Sequence, residues 1–265
     1  MVFFSTIESM YYLLPLIGLL VGLFGTLLGG GGGFIFLPVL TLVIHQSAQV
    51  AVITTLVATL PICIVGSLGH LKNGNINIKA GLFFIVLGIA GAFLGAYITK
   101  ALASEHLKVY FGIYSIIIAL FLVYTTWKDA SKSRMIEKDR LLNNQRLRRI
   151  KSGFLAFTGG IITGTFGTSG SAPIIVGLFN LDIAIKTAIG TSLLVVLSNT
   201  LFAIGAHAMI SSLDLTVVIF LTIGSVVGAI WGAKLLLKTK IEKSAGMLKY
   251  LYALAMLLMG LLMIK

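Results

Sequence analysis

The sequence predicts an all-α polytopic membrane protein built as an inverted-topology repeat, two halves of five segments with a broken or re-entrant helix at the start of each half. Three observations predict it. Of 265 residues, 58% are hydrophobic and 11% charged, where a soluble domain carries about 25% charge, and the mean hydropathy is +1.06. Apolar runs recur along the whole chain, several near the ~20 residues a helix needs to cross a bilayer. The second half then repeats the landmarks of the first in order.

The first half, residues 1–127, holds apolar runs from about Met10 to Leu28, Phe34 to Ile44, Val50 to Leu68, Ile78 to Ile98 and Leu107 to Trp127. A basic loop follows, residues 128–151, with nine Lys/Arg against the acids Asp129, Glu137 and Asp139. The second half, residues 152–265, runs Phe154 to Thr163, Ala172 to Phe179, Ala184 to Ile210, Leu215 to Leu237 and Met247 to Ile264. Glu8 and the lack of a basic start argue against a cleavable signal peptide.

Several pairs establish the repeat. Pro38 answers Pro173 and Gly29 answers Gly164, each 135 positions on. Thr54-Thr55-Leu56 answers Thr191-Ser192-Leu193, His70 answers His207, Gly91 answers Gly228 and Gly95 answers Gly232, each 137 positions on. Five segments per half is an odd number, so the second copy is expected inverted. The cations agree: the central loop, Lys72 to Lys79 and the Lys238/Lys240/Lys243 turn fall on one side, which the positive-inside rule makes cytoplasmic. Lys100 to Lys108 and the Ser211-Ser212 turn fall outside. A multi-pass protein of the cytoplasmic membrane is expected.

The net charge of +12 sits almost wholly in loops, so the expected partners are the lipid bilayer and a small anion, with no nucleic acid. A homo-oligomer is left open. Cys63 is the one cysteine, which excludes intrachain disulfides and thiolate clusters. No metal site, cofactor motif, paired membrane aspartates or Walker sequence is present, so no enzyme is expected and uphill transport must draw on a gradient.

The centre of the chain is the run Gly29-Gly30-Gly31-Gly32-Gly33, between apolar stretches. Glycine costs about 1 kcal/mol per residue against alanine in a helix, so five together open the backbone. Opened backbone survives in a membrane only where protein buries it or it lines a cavity. The segment therefore reads as two half-helices aimed at an internal site, the second presenting free N–H groups and a positive dipole end. Its counterpart, Gly164-Thr165-Phe166-Gly167-Thr168-Ser169-Gly170-Ser171-Ala172-Pro173, supplies hydroxyls instead. Ser171 is expected to cap the next helix, with Pro173 tolerated in its first turn.

Candidate substrate-binding residues are accordingly Gly30, Gly31, Gly32 and Gly33, with Thr165, Thr168, Ser169 and Ser171. Thr54, Thr55, Thr191 and Ser192 join them, one pair per repeat, although intramembrane hydroxyls commonly bond their own helix. Asn199, mid-segment, needs a partner on a helix or a substrate. His70 and His207 are candidate proton carriers for coupling, although their place near segment ends favours solvated side chains. All carboxylates lie near segment ends. Gly91xxxGly95, Gly224xxxGly228 and Gly228xxxGly232 are packing faces.

The Gly22-Leu23-Phe24-Gly25 to Pro38 run, its echo ending in Pro173, and Ala188-Ile189-Gly190-Thr191-Ser192 resemble the TauE/SafE family over essentially the whole chain. That resemblance implies a secondary transporter, usually an exporter, of small anions such as sulfite, sulfoacetate or other organosulfonates. Thr168 and Ser169 stand where the family often has glycines, and Thr54-Thr55 replaces its usual Thr-Ser. The other readings of the residues are an anion channel, or a membrane-embedded sulfur-metabolism enzyme or accessory factor.

Overall fold

Residues 2–4, 9–27, 29–131, 145–208, 212–238 and 241–265 are described in the computed structural model of the chain. Glu8, Ser211, Lys240 and residues 132–144 of the basic loop lie outside them. The described residues form helices α1 (Leu14–Leu27), α2 (Gly33–Pro38), α3 (Ala48–Lys72), α4 (Ile78–Ala101), α5 (Ser104–Ser131), α6 (Gln145–Phe166), α7 (Ser171–Asn180), α8 (Ile185–Ala208), α9 (Leu215–Lys238) and α10 (Ile241–Ile264). A 3-10 turn, Ser9–Leu13, leads into α1, and a wider turn, Val39–Val43, continues α2. Two short strands, β1 (Val2–Phe4) and β2 (Ser212–Asp214), pair in parallel. Among the described residues, six helices are long and apolar enough to cross a membrane, which makes this a multi-pass helical membrane protein.

Lipid tails are as apolar as leucine, so burial does not drive these helices together; close packing does. The sequence supplies it with glycine. A Cβ on Gly224, Gly228 or Gly232 of α9 would run into the carbonyls of Pro15, Leu19 or Leu23 on α1. The same device joins α4 to α6: Gly91 and Gly95 face the carbonyls of Phe157 and Ile161, and Gly160 and Gly164 face those of Gly88 and Ala92. Exchanging α1–α5 for α6–α10 therefore maps one seam onto the other. The same exchange maps the α4–α8 contact onto α9–α3, and leaves α3–α8 and α5–α10 as contacts between equivalents. Equivalent helices α3 and α8 run antiparallel: Cys63 and Val196 both face Gly31, Gly66 meets Leu193, and His70 meets Gly190.

The first segment of the second half is longer than hydropathy suggests. α6 starts at Gln145, inside the basic stretch, and spans 22 residues. Its first two turns carry Arg146, Arg148, Arg149 and Lys151, which mask the helix from an apolar window. Arg148 explains the anchorage: its Nε donates to the Asn180 carbonyl at 2.6 Å, and its guanidinium pairs with Asp182 just beyond α7.

Asp214 lies near a segment end, yet is buried. Its Oδ1 takes the N–H groups of Thr216 (3.1 Å) and Val217 (3.2 Å) and so caps α9, where a negative charge also suits the helix dipole. Its Oδ2 accepts from Tyr11 Oη at 3.3 Å and Gln46 Nε2 at 3.5 Å. Asp214→Ala is expected to cost about 1–2 kcal/mol, read as earlier unfolding of purified protein; an unchanged midpoint would remove the cap from the account.

Candidate functional site

α1 is described to Leu27, and the glycine run opens at Gly29. Gly29, Gly31 and Gly32 take φ of 70°, 61° and 78°, a region that side chains enter only with strain. The N–H groups of Gly30 and Gly31 turn back to the Gly25 carbonyl, at 2.8 and 3.2 Å. α2 begins at Gly33, with Gly32 as its N-cap and no side-chain cap. The N–H groups of Gly33 and Phe34 thus have no partner among the described residues.

The second break has the same form. α6 ends at Phe166, Gly167 takes φ of 65°, and α7 begins at Ser171. The expectation that Ser171 caps α7 is overturned. Gly170 is the N-cap, no side chain caps the helix, and the Ser171 N–H meets the Ser169 carbonyl at 2.6 Å. Gly170 packs directly on the Gly159 carbonyl, where a Cβ would collide, so the chain must turn there rather than one residue later. Thr163 steadies the turn, its hydroxyl taking the Gly170 N–H at 3.0 Å.

The two breaks face one another. A Cβ built on Gly30 would stand 2.9 Å from Ser171 Oγ and 3.4 Å from Ser169 Oγ. On Gly33 it would meet the Gly167 carbonyl and Thr168 Cα, each at 2.9 Å, and Thr55 Cγ2 at 3.2 Å. On Gly31 it would meet Cys63 Sγ at 2.9 Å. Cys63 thus belongs to this centre, a placement with no signal in the residue pattern: a thiol in an apolar run reads as core until the fold sets it beside Gly31. The hydroxyls of Thr54, Thr55, Thr168 and Ser169 are buried, with no hydrogen-bond partner; Thr168 is 1% exposed and Ser169 7%. No lysine or arginine among the described residues is buried.

Other candidates are placed differently. Gly32 packs on Val21 of α1. Thr165 Oγ1 donates to the Gly95 carbonyl at 3.3 Å, and Thr191 Oγ1 accepts the Asn77 N–H at 2.9 Å. Ser192 Oγ reaches the Gly29 carbonyl at 2.9 Å and its own helix at the Ile189 carbonyl, 2.8 Å. Asn199 lies between α8 and α4 against Gly88, both amide atoms buried and unbonded.

The histidines are not solvated. His70 is 2% and His207 1% exposed, because their neighbours on α8 and α6 are glycines that let the rings in. His207 Nε2 donates to the Gly164 carbonyl at 2.8 Å; neither ring nitrogen of His70 has a partner. Away from the breaks, an open groove of about 580 Å³ lies between the starts of α4 and α6 and the α7–α8 turn, lined by Lys79, Arg148, Arg149 and Asp182.

The profile of the family described as Sulfite exporter TauE/SafE matches residues 14–263. The chain is 27% identical over 227 residues to the probable membrane transporter protein YdhB of Bacillus subtilis (strain 168), covering 83% of this chain and 86% of that one. It is 26% identical to a probable membrane transporter protein of Xylella fastidiosa (strain 9a5c), covering 93% and 92%. A probable membrane transporter protein of Methanocaldococcus jannaschii is 30% identical, over 68% of this chain and 66% of that one. No solved structure matches the chain.

Proposed function

The chain belongs to the sulfite exporter TauE/SafE family, and from that premise we propose that it is a secondary transporter carrying a small oxyanion, sulfite or an organosulfonate, through the space between its two helix breaks. One observation carries this reading: two helix starts without side-chain caps face each other, amid the buried hydroxyls of Thr55, Thr168 and Ser169, which no described protein group satisfies. Such hydroxyls cost about 1–3 kcal/mol each when left unpaired. An oxyanion only accepts hydrogen bonds, and donors for it are at hand here: the N–H groups of Gly33 and Phe34 and the hydroxyls of Thr55, Thr168 and Ser169. The helix starts add their positive dipole ends. Among the described residues no buried lysine or arginine adds a full charge, so the ion is held by dipoles, weakly enough to be released. Transport requires that release.

The inverted arrangement of the halves belongs to the same proposal. Antiparallel α3 and α8 support it, as do the cations at Lys72, Lys79 and the basic start of α6, which set that face in the cytoplasm. The broken segments then meet near the bilayer midplane, and one part of the bundle moves against the other. The family's name supplies the outward direction.

Sulfite uptake into liposomes carrying the purified protein tests the reading. Sulfite trapped inside is expected to accelerate uptake of labelled sulfite; a pore shows no such trans-stimulation, and its absence would favour a channel. Thr168→Val with Ser169→Ala is expected to lower uptake about tenfold or more, since bonds to an ion are worth about 1.5–3 kcal/mol. Neither hydroxyl has a protein partner to lose, so the protein keeps its fold. Full uptake by this double variant would remove the site.

A further inference from the structure

The two halves hold their breaks by opposite choices from the same set of bonds. Gly29 and Gly164 are equivalent, as are Thr55 and Ser192, and His70 and His207. At the first break Ser192 reaches the Gly29 carbonyl at 2.9 Å, while both ring nitrogens of buried His70 are unbonded. At the second, His207 holds the Gly164 carbonyl at 2.8 Å, while the hydroxyl of buried Thr55 is unbonded. Thr99 Oγ1 also approaches that carbonyl, at 3.3 Å, and leaves one lone pair for the choice. A neighbouring pair behaves alike. Thr191 takes the N–H of Asn77, the cap of α4; its equivalent Thr54 is unbonded.

We infer that these are the two positions of one latch, and that transport exchanges them. In the exchanged state Thr55 donates to Gly164 and His70 to Gly29, while Ser192 and His207 let go. Each state then makes two of the four latch bonds and leaves two unmade, Ser192 falling back on the Ile189 carbonyl of its own helix when it lets go, so the states lie close in free energy. A protein that must visit both states needs that balance. In the state described here the closed hydroxyl latch ties the start of α8, the end bearing Lys186, which is cytoplasmic by its charge. Thr55 and His70 are therefore positioning residues of the other state, and their lack of partners has a cause that core packing alone does not supply.

The inference rests on the alternating movement proposed above but not on which anion moves, and its test uses no anion. Amide hydrogen exchange is followed in the full chain, in lipid nanodiscs, at residues 187–193, which open only as the exchanged state is visited. Ser192→Ala removes a bond of the state described and is expected to speed exchange there about fivefold, the factor one buried hydrogen bond commands. Thr55→Val keeps its shape and loses no bond present here, so it is expected to retain the parent melting temperature while slowing the same exchange about fivefold. His70→Phe is expected to act as Thr55→Val does. Opposite signs for Ser192→Ala and Thr55→Val support the latch. Equal signs, or exchange in Thr55→Val identical to the parent, overturn it even if sulfite uptake is robust.

Discussion

Gly30→Ala is expected to reduce sulfite flux in proteoliposomes to below about a tenth of the parent, in a protein that melts within about 4 °C of it. Among the five glycines of the first break this position separates function from folding. Gly31 and Gly32 have φ of 61° and 78°, so any side chain there strains the backbone whatever the space. Gly32 would also press on the Val21 carbonyl, 2.8 Å away. Gly30 carries no such φ, and the nearest atoms its Cβ would meet are the hydroxyls of Ser171, at 2.9 Å, and Ser169, at 3.4 Å, on side chains that can rotate. The added methyl therefore enters the space between the breaks and turns those hydroxyls aside, at little cost to the fold. A displacement of about 1 Å at a binding centre is enough to lose orders of magnitude in rate. Parent-like flux through Gly30→Ala would show that the ion does not pass between the breaks.

Much of this frame is legible in the sequence, because glycine acts locally. Five in a row break a helix in any context, and pairs such as Gly91/Gly228 repeat at a fixed displacement that composition does not produce by chance. The start of α6 is not legible, since Arg146, Arg148 and Arg149 make a helix look like a loop until Asn180 and Asp182 are seen to receive Arg148. The histidines mislead for a related reason: segment ends are wet on average, and only the tertiary placement of Gly190 and Gly164 reveals that His70 and His207 turn inward. Hardest of all is the division of labour among hydroxyls. Thr54-Thr55 and Thr191-Ser192 are nearly the same dipeptide in equivalent places, yet one pair is bonded and the other is not. That difference belongs to the conformation of the whole molecule and has no local signature.

The other large effect concerns folding. Gly228→Leu is expected to yield no properly folded protein, a loss above about 3 kcal/mol by overpacking, read as the absence of a monodisperse peak in detergent. Gly228 stands against the Leu19 carbonyl, between Gly224 on Pro15 and Gly232 on Leu23, so α1 and α9 touch backbone to backbone along this seam. In lipid that contact is itself the source of attraction, and a leucine that parts the helices forfeits it along the length of the seam. The consequence reaches the breaks, because α1 carries Gly29 to its place beside Ser192. A Cβ on Gly205 meets nothing within 4 Å, so Gly205→Ala should be silent where Gly228→Ala, whose Cβ would strike the Leu19 carbonyl, already costs stability. If Gly228→Leu instead purified with the parent's stability, the seams would not be what fixes the two breaks against each other, and the alignment of donors between them would need another cause.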